Sequence, residues 1–411
     1  MPPFTTASQT LKLTEMKKSV AAKIKKVRND IPDDLVFSIL SKLSVKSLNR
    51  FGCVRKSWSG LFKNPYFMSM FHKNLLWDNH SYYNDTSLLQ HEIVTIGSEL
   101  KFVLYSLSGE RCQNKTKLDW PNAFEEADPE FDVVGSGSIN GILCLVSKSQ
   151  LNNRVVLWNP TTNEFKVVPI SLRESARYMD VEITRHGFGY VSIGDEYKLI
   201  RQVMHYPKSD IDNDIDDLSL EDVSYDLFWE IYSLRSNSWR KLQCYAAPHD
   251  YREDGICLDG ACHWLGEDGY DNDKDDDVYL LSFDLSKEAF LITPIPLECD
   301  SHNFQIIWKD LRVLSGFIAL ISYGKQNDTF HISVLGEIGV KESWTKLYLV
   351  CPLPCIGRPI TYGNKRYIFS HVKGGVLVCI DLSTLMVEEL NFVGYRFWGK
   401  TIIYKRSSLP I

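Results

Sequence analysis

The chain has 411 residues, 44% hydrophobic and 24% charged, so it can bury a large core and reads as an ordinary globular protein. Its net charge of −6 gives no general pull toward nucleic acid. No apolar run approaches the ~20 residues of a membrane helix, and the N-terminus lacks a signal-peptide core, which sets aside both membrane and secretion.

Without a secretory route, the Asn-x-Ser/Thr sites at Asn79, Asn84, Asn114 and Asn327 carry little weight. The ten cysteines are dispersed, several of them (Cys144, Cys262, Cys379) inside apolar strand-like runs. In a cytoplasmic or nuclear protein they read as reduced, buried small hydrophobes.

Residues 1–30 are polar and aperiodic, and Lys17, Lys18, Lys23, Lys25, Lys26 and Arg28 make them basic. They read as a disordered tail, or as a weak helix leading into residue 31, with nuclear import or nucleic-acid contact as a minor alternative.

Residues 31–72 change character. Leu35, Val36, Ile39, Leu40 and Leu43 recur at helical spacing. Pro32 suits a first helical position, and Asp33 and Asp34 then fall where negative charge suits the helix dipole. Ser44 suits the cap of a second helix carrying Val45, Leu48 and Phe51. A third pattern runs through Val54, Trp58, Leu61 and Phe62, and Asn64-Pro65 stops it. Three short helices cannot enclose so many apolar side chains, so a face is left for a partner or for the chain's own β region.

A linker over 73–92 leads to a β region over 93–405. Short runs rich in Val, Ile, Leu, Tyr and Phe alternate there with Gly, Asn, Asp and Ser. A loose repeat shows in "INGILCLVS" with "RVVLWNPTTNEFKVVP", then "HGFGYVSIGDEYKLIRQV" with "FWEIYSLRSNSWRKLQ". "GICLDGACHWLG" with "VYLLSFDLSKEAFLITPIP" makes a third unit, and "VLSGFIALISYG" with "FHISVLGEIGVKESWTKLYLV" a fourth. "KRYIFSHV" with "GVLVCIDLSTLMVEELNF" makes a fifth, and "FVLYSLSGERCQNKTKLDW" a degraded first copy. An aromatic residue resumes the strand after most turns (Phe165, Trp239, Phe290, Trp344). A period of roughly 45–55 residues predicts the four-stranded blades of a β-propeller, five or six in number, with a sandwich or open barrel as the alternative.

Candidate chemistry in this region is thin. Asp210, Asp212, Asp214 and Glu221 imitate a calcium loop in the acidic stretch 209–222, but Ile215 takes the place where the sharp turn needs Gly. A second acidic stretch covers 267–277, and both read as solvated loops between strands. Cys257, Cys262 and His263 are close, as are Cys351 and Cys355, but the spacing is wrong for structural zinc. No phosphate-binding GxxxxGK[ST] loop and no GxSxG elbow occurs, so no catalytic constellation and no cofactor is expected. Tyr206, Tyr225, Tyr251 and Tyr270 lie in or beside predicted loops, as contact residues or as plain surface tyrosines.

The stretch 31–62 resembles an F-box. Ile31-Pro32 stands for the leading Leu-Pro pair, Asp34 takes the acidic place, and Leu35, Ile39, Leu40 and Leu43 take the apolar ones. Val45-Lys46-Ser47-Leu48, Arg50-Phe51, Cys53-Val54 and Lys56-Ser57-Trp58 fall in register after them. Ile31, Ser44 and Gly52 depart mildly, and Gly52 inside a helix costs up to about 1 kcal/mol. The β region resembles the F-box-associated, kelch-like domain of plant F-box proteins through "LWNPTT", "GFGY", "YSLRSNSWRKL", "GACHWL", "SFDLSKEAF" and "GVKESWTKL". The layout is similar to that of the S-locus F-box proteins.

The resemblance implies a substrate-recognition subunit of an SCF-type ubiquitin ligase with no catalysis of its own, working in the cytoplasm or nucleus. Ile31, Pro32, Leu35, Ile39, Leu40, Leu43, Val45, Leu48, Val54, Trp58 and Leu61 would face a Skp-type adaptor, and through it a cullin-RING scaffold. The β domain would hold an unidentified target protein. The alternative is a propeller enzyme or ligand-binding protein whose helical module packs against its own β region.

Overall fold

The computed structural model describes residues 32–61 except 44, positions 64, 67 and 70, and 86–411. Within that last span it leaves out 97–98, 110–113, 122–130, 136, 148–152, 172–178, 208–225, 244–254, 269–276, 297–305, 315, 325–328, 350–355, 363–366, 373–375, 382–385, 394–400 and 409–410. The basic tail, Ser44, the calcium-like stretch, Cys351 and Cys355 all lie outside the described residues.

The helical patch forms α1 (Asp33–Leu40), α2 (Val45–Val54) and α3 (Lys56–Leu61). Pro32 stands at the N-cap, one place earlier than expected, and its carbonyl accepts the Val36 N–H at 2.9 Å. Val36 and Leu40 are buried, and Phe37 meets the fully buried Phe67 edge to face at 5.0 Å. Phe51 and Trp58 join α2 to α3 with ring centroids 5.8 Å apart. These contacts make a small core, while among the described residues Leu35, Ile39, Phe51 and Val54 stay exposed.

From residue 86 onward the chain is strand. The first sheet holds β1 (Thr86–Ile96), β2 (Glu99–Ser108) and β3 (Asn114–Leu118). Next come β4 (Phe131–Val133), β5 (Leu143–Ser147), β6 (Val155–Asn159) and β7 (Glu164–Val167), then β8 (Met179–Val191), β9 (Glu196–Pro207), β10 (Asp226–Ser233) and β11 (Ser238–Lys241). The fourth sheet is β12 (Ile256–Leu258), β13 (Ala261–Asp268), β14 (Asp277–Asp284) and β15 (Ala289–Pro294), and the fifth β16 (Ile306–Leu314), β17 (Phe317–Gly324), β18 (Thr329–Leu335) and β19 (Trp344–Leu349). The sixth is β20 (Ile356–Tyr362), β21 (Tyr367–Val372), β22 (Val376–Asp381) and β23 (Met386–Val393). The last strand, β24 (Thr401–Lys405), returns to pair with β1, so the described residues make six antiparallel four-stranded blades.

The first strand of each blade lies innermost, and these inner strands neighbour one another around the axis from β8 through β12, β16 and β20 to β24. A parallel bridge between Gly137 and Ile403 closes the circle. The core is layered between blades: Trp229 and Ile231 of the third face Trp264, Leu281 and Phe283 of the fourth. Middle strands are packed on both faces, which is why β6 reads "VVLWN" and is buried at every position instead of alternating.

The structure moves several sequence boundaries. The degraded first copy is a complete blade whose innermost strand comes from the C-terminus. Strand β1 begins at Thr86, inside the stretch read as linker, because Gln90, His91 and Glu92 break its apolar alternation. "KRYIFSHV" is the second strand of its blade, not the first. The true first strand, β20, carries Pro359, which is tolerated because the pairing register shifts on both sides of it.

Strand alternation fixes two ends of the propeller. Connections from first to second and from third to fourth strands lie at one end, here the turn end. Those of the third and fourth blades are tight: 192–195, 234–237, 259–260 and 285–288 are short turns. Second strands end and third strands begin at the other end, among them β9 and β10, and β13 and β14, which flank the two acidic stretches in sequence.

Candidate functional site

Two places offer themselves. The first is the helical module. On α1, Leu35 and Ile39 stand one turn apart, each 51% exposed. On α2, Phe51 is 39% and Val54 69% exposed. Pro32 is exposed as well, and Leu43, Trp58 and Leu61 are half-buried. Of the residues read as adaptor-facing, Leu40 is buried in the module itself. Ile31 and the side chains of Val45 and Leu48 lie outside the described residues. Sequence pattern alone did not single out Phe51 as an exposed member, because its helical spacing is that of a core residue.

The module meets the propeller at its turn end. Strand β1 starts there, and α2 comes against the 3-10 turn Lys341–Ser343 between β18 and β19. That turn is braced by Ser343, whose hydroxyl bonds the Glu337 and Val340 carbonyls at 2.9 and 2.8 Å.

The second place is the mouth of the central channel at the same end, a cavity of about 810 Å³. Its wall is built from the turns 134–141, 188–193 and 257–260 and from the C-terminal strand. Gly137 lies close against the last strand: a Cβ there would stand 3.0 Å from the Ile403 carbonyl oxygen, a tight contact. Lys405 and Arg406 are exposed on the rim beside Lys287, Asp284 and Asp259.

The rim carboxylate Asp284 is committed to its turn. Its Oδ1 accepts the Ser286 and Lys287 N–H groups at 2.9 Å each, and Lys287 Nζ lies 3.1 Å from Oδ2. Burial pulls this carboxyl up, but those donors outweigh it and hold it below the ordinary range. Glu288 likewise is pulled up by burial and down more strongly by Arg240 and Lys198. It ties the fourth blade to the third, with Lys198 Nζ at 2.8 Å and Arg240 in direct contact.

The Cys257, Cys262 and His263 cluster sits on the hairpin β12–β13, where Cys257 lines the cavity and the other two are buried. Burial pushes the Cys262 thiol well up. Burial also lowers His263 to about 4, against a smaller opposing bond to the Leu258 backbone, and its Nδ1 lies 2.8 Å from Ser282 Oγ. Among the described residues no group of three or more His, Cys, Asp or Glu could hold a metal ion. Tyr206 lies near the end of β9 opposite Asp180, while Tyr225, Tyr251 and Tyr270 are outside the described residues. No helix among the described residues is long and apolar enough to cross a membrane.

A three-helix module with exposed apolar side chains on two of its helices, joined to a six-bladed propeller among the described residues, defines a two-part protein. Residues 90–404 match the model of the F-box associated beta propeller domain, and residues 29–69 match the F-box domain. The chain belongs to the F-box proteins that carry an F-box-associated β-propeller domain. It is 29% identical to the F-box protein At3g07870 of Arabidopsis thaliana, over 91% of this chain and 90% of that one. The F-box/kelch-repeat protein At3g23880 is 24% identical over 85% of this chain and 87% of its own, and the F-box protein CPR1 25% over 88% and 84%, both from the same plant.

Proposed function

We propose that the chain is the substrate-recognition subunit of an SCF-type ubiquitin ligase. Its F-box docks on a Skp-type adaptor joined to a cullin-RING scaffold, and its propeller holds the protein to be ubiquitinated. The observation that carries this reading is the exposure of four apolar side chains, Leu35, Ile39, Phe51 and Val54, on a module too small to bury them. A subunit of this kind does no bond chemistry. It raises the effective concentration of target lysines near the ubiquitin-carrying enzyme, in the cytoplasm or nucleus.

The arrangement suits that task. The module joins the propeller at the turn end, which leaves the opposite end, where the strands flanking the acidic sequences end, for a target, and acidic sequences favour a basic one. The test is co-purification with the adaptor. Pro32→Ala combined with Leu35→Ala is expected to abolish adaptor capture while the propeller melts as in the parent chain. Undiminished capture would sink the reading.

A further inference from the structure

The cysteines set aside as a metal site form a different arrangement. Cys257 and Cys262 are direct cross-strand partners on β12 and β13, one pair out from the two-residue turn Asp259-Gly260. Both turn residues have positive φ, 50° and 76°, the geometry that lets a two-residue hairpin follow the strand twist. The pair beside such a turn, Leu258 with Ala261, exchanges hydrogen bonds, so the next pair out is the non-hydrogen-bonded kind. Partners of that kind have Cα atoms about 4.5 Å apart, inside the range a disulfide spans. The Cys257 thiol already points at Cys262 Sγ, 2.7 Å away, and both cysteines are free.

The two thiols differ in access. Cys257 is half-buried and opens on the channel cavity. Cys262 is fully buried, beneath Gly187 of β8, where even a Cβ would stand 2.8 Å from its sulfur. Cys144, on the second blade, is buried too. One thiol therefore receives a reagent from the cavity and the other stands behind it. Lys287 is paired with Asp284 on the rim, which leaves Lys405 and Arg406 against Asp259, a net positive balance that favours an anionic reagent.

We propose that Cys257 and Cys262 are a thiol-exchange site at the channel mouth, taking small anionic disulfides of the glutathione class. The Cys257 thiolate attacks one sulfur of the oxidised reagent, forming a mixed disulfide and expelling one thiolate, which takes up the proton that Cys257 released. Cys262 then attacks the Cys257 sulfur, expelling the second thiolate, which takes the Cys262 proton. Two protein thiols are oxidised to one disulfide, and one reagent disulfide is reduced to two thiols. The product pins the first two strands of the fourth blade together and removes the thiol from the cavity wall.

The experiment incubates the full chain with oxidised glutathione and maps peptides without reduction. The parent chain is expected to lose the Cys257 and Cys262 thiols together, as one linked peptide, with no glutathione retained on either. Cys262→Ser, or Cys262→Ala if the serine variant does not fold, should retain one glutathione on Cys257. Cys257→Ser should leave Cys262 unreacted. Glutathione stably held on Cys257 of the parent chain, or reaction of Cys262 in Cys257→Ser at the parent rate, would overturn the proposal. Lys405→Glu with Arg406→Glu should slow the reaction with glutathione disulfide about tenfold and leave that with the uncharged 2-hydroxyethyl disulfide unchanged. Equal rates for the parent and this variant with both reagents would overturn the assignment of an anionic reagent.

Discussion

At the scale of single residues, two buried polar groups govern the middle of the propeller. Glu230 and Arg201, on adjacent strands of the third blade, are 0% and 1% exposed, with Arg201 Nη2 2.6 Å and Nε 2.7 Å from Glu230 Oε1. Ser171, in the chain leading out of the second blade, donates its hydroxyl to Glu230 Oε2 at 2.8 Å, and the guanidinium lies 4.0 Å from the Trp239 ring centroid. The pair is thus satisfied on every side, and removing one partner strands the other charge in a dry site. Glu230→Ala is expected to cost about 3–5 kcal/mol in chemical denaturation, while replacing both partners by apolar residues of like volume costs much less. His263 adds a pH dependence. Its folded pKa of about 4 lies below the ordinary 6.5, so between those values the unfolded chain binds a proton that the folded chain refuses. Stability is full above 6.5 and falls as the pH drops toward 4, by roughly 3 kcal/mol in all. Glu288 has a depressed pKa, so its contribution is lost only below its ordinary 4.5. Melting curves between pH 6.5 and 5 therefore carry the His263 contribution, and His263→Gln should flatten them by that amount.

At the scale of elements, outer-strand tryptophans latch neighbouring blades. Trp239 on β11 donates its indole N–H to the Pro169 carbonyl at 2.7 Å, just past β7 of the blade before. Trp344 on β19 repeats this with the Pro294 carbonyl at the end of β15, at 3.2 Å. The recurrent aromatic seen in the sequence is in these two blades a tie between blades as well as a core residue. Trp344→Phe keeps most of the apolar burial and loses the bond, so a loss of about 1 kcal/mol is expected, against about 3–5 kcal/mol for Trp344→Ala. Equal losses for the two would show that the bond, not the ring, matters. The same elements show what was legible in the sequence. "YSLRSNSWRKL" and "SFDLSKEAFLITP" displayed both hairpin strands and their turn, because third and fourth strands are joined by short turns with fixed chemistry. The inner strands β4 and β20 were not visible: one is three residues long and the other carries Pro359. The helical edge was legible only as a surplus of apolar residues. Which of them face outward depends on the packing of Val36, Leu40 and Phe67, which no periodicity specifies.

At the scale of the whole molecule, ring closure couples the two ends of the chain. The first blade draws three strands from residues 86–118 and its innermost strand from 401–405. Ile402 and Tyr404 are buried in the layer between the first and second blades, with Leu89, Leu104, Leu143 and Trp158. Tyr404 Oη shares a 2.7 Å hydrogen bond with Thr161 Oγ1, and Asn159 Nδ2 donates to the Ser407 carbonyl at 3.0 Å. A blade lacking this strand exposes β1 as an open edge and uncovers its face toward the second blade. Blades contact chiefly their neighbours, so opening the circle at one seam frees two blade faces at once. A chain ending at residue 400 is therefore expected to lose its cooperative melting transition or to aggregate. A synthetic peptide of residues 401–411, added in trans, should restore the transition, with a midpoint that climbs with the logarithm of peptide concentration, because it binds only the closed form. The F-box module enters at the start of β1, beside this seam. Closure thus also fixes the strand from which the module is hung, and the truncated chain should not hold the module in a defined place on the propeller. Crosslinking between α2 and the Lys341–Ser343 turn measures that directly: it should be present in the full chain, absent after truncation, and restored by the peptide. A truncated chain that melts and crosslinks as the full one does would show that five closed blades and an open one suffice.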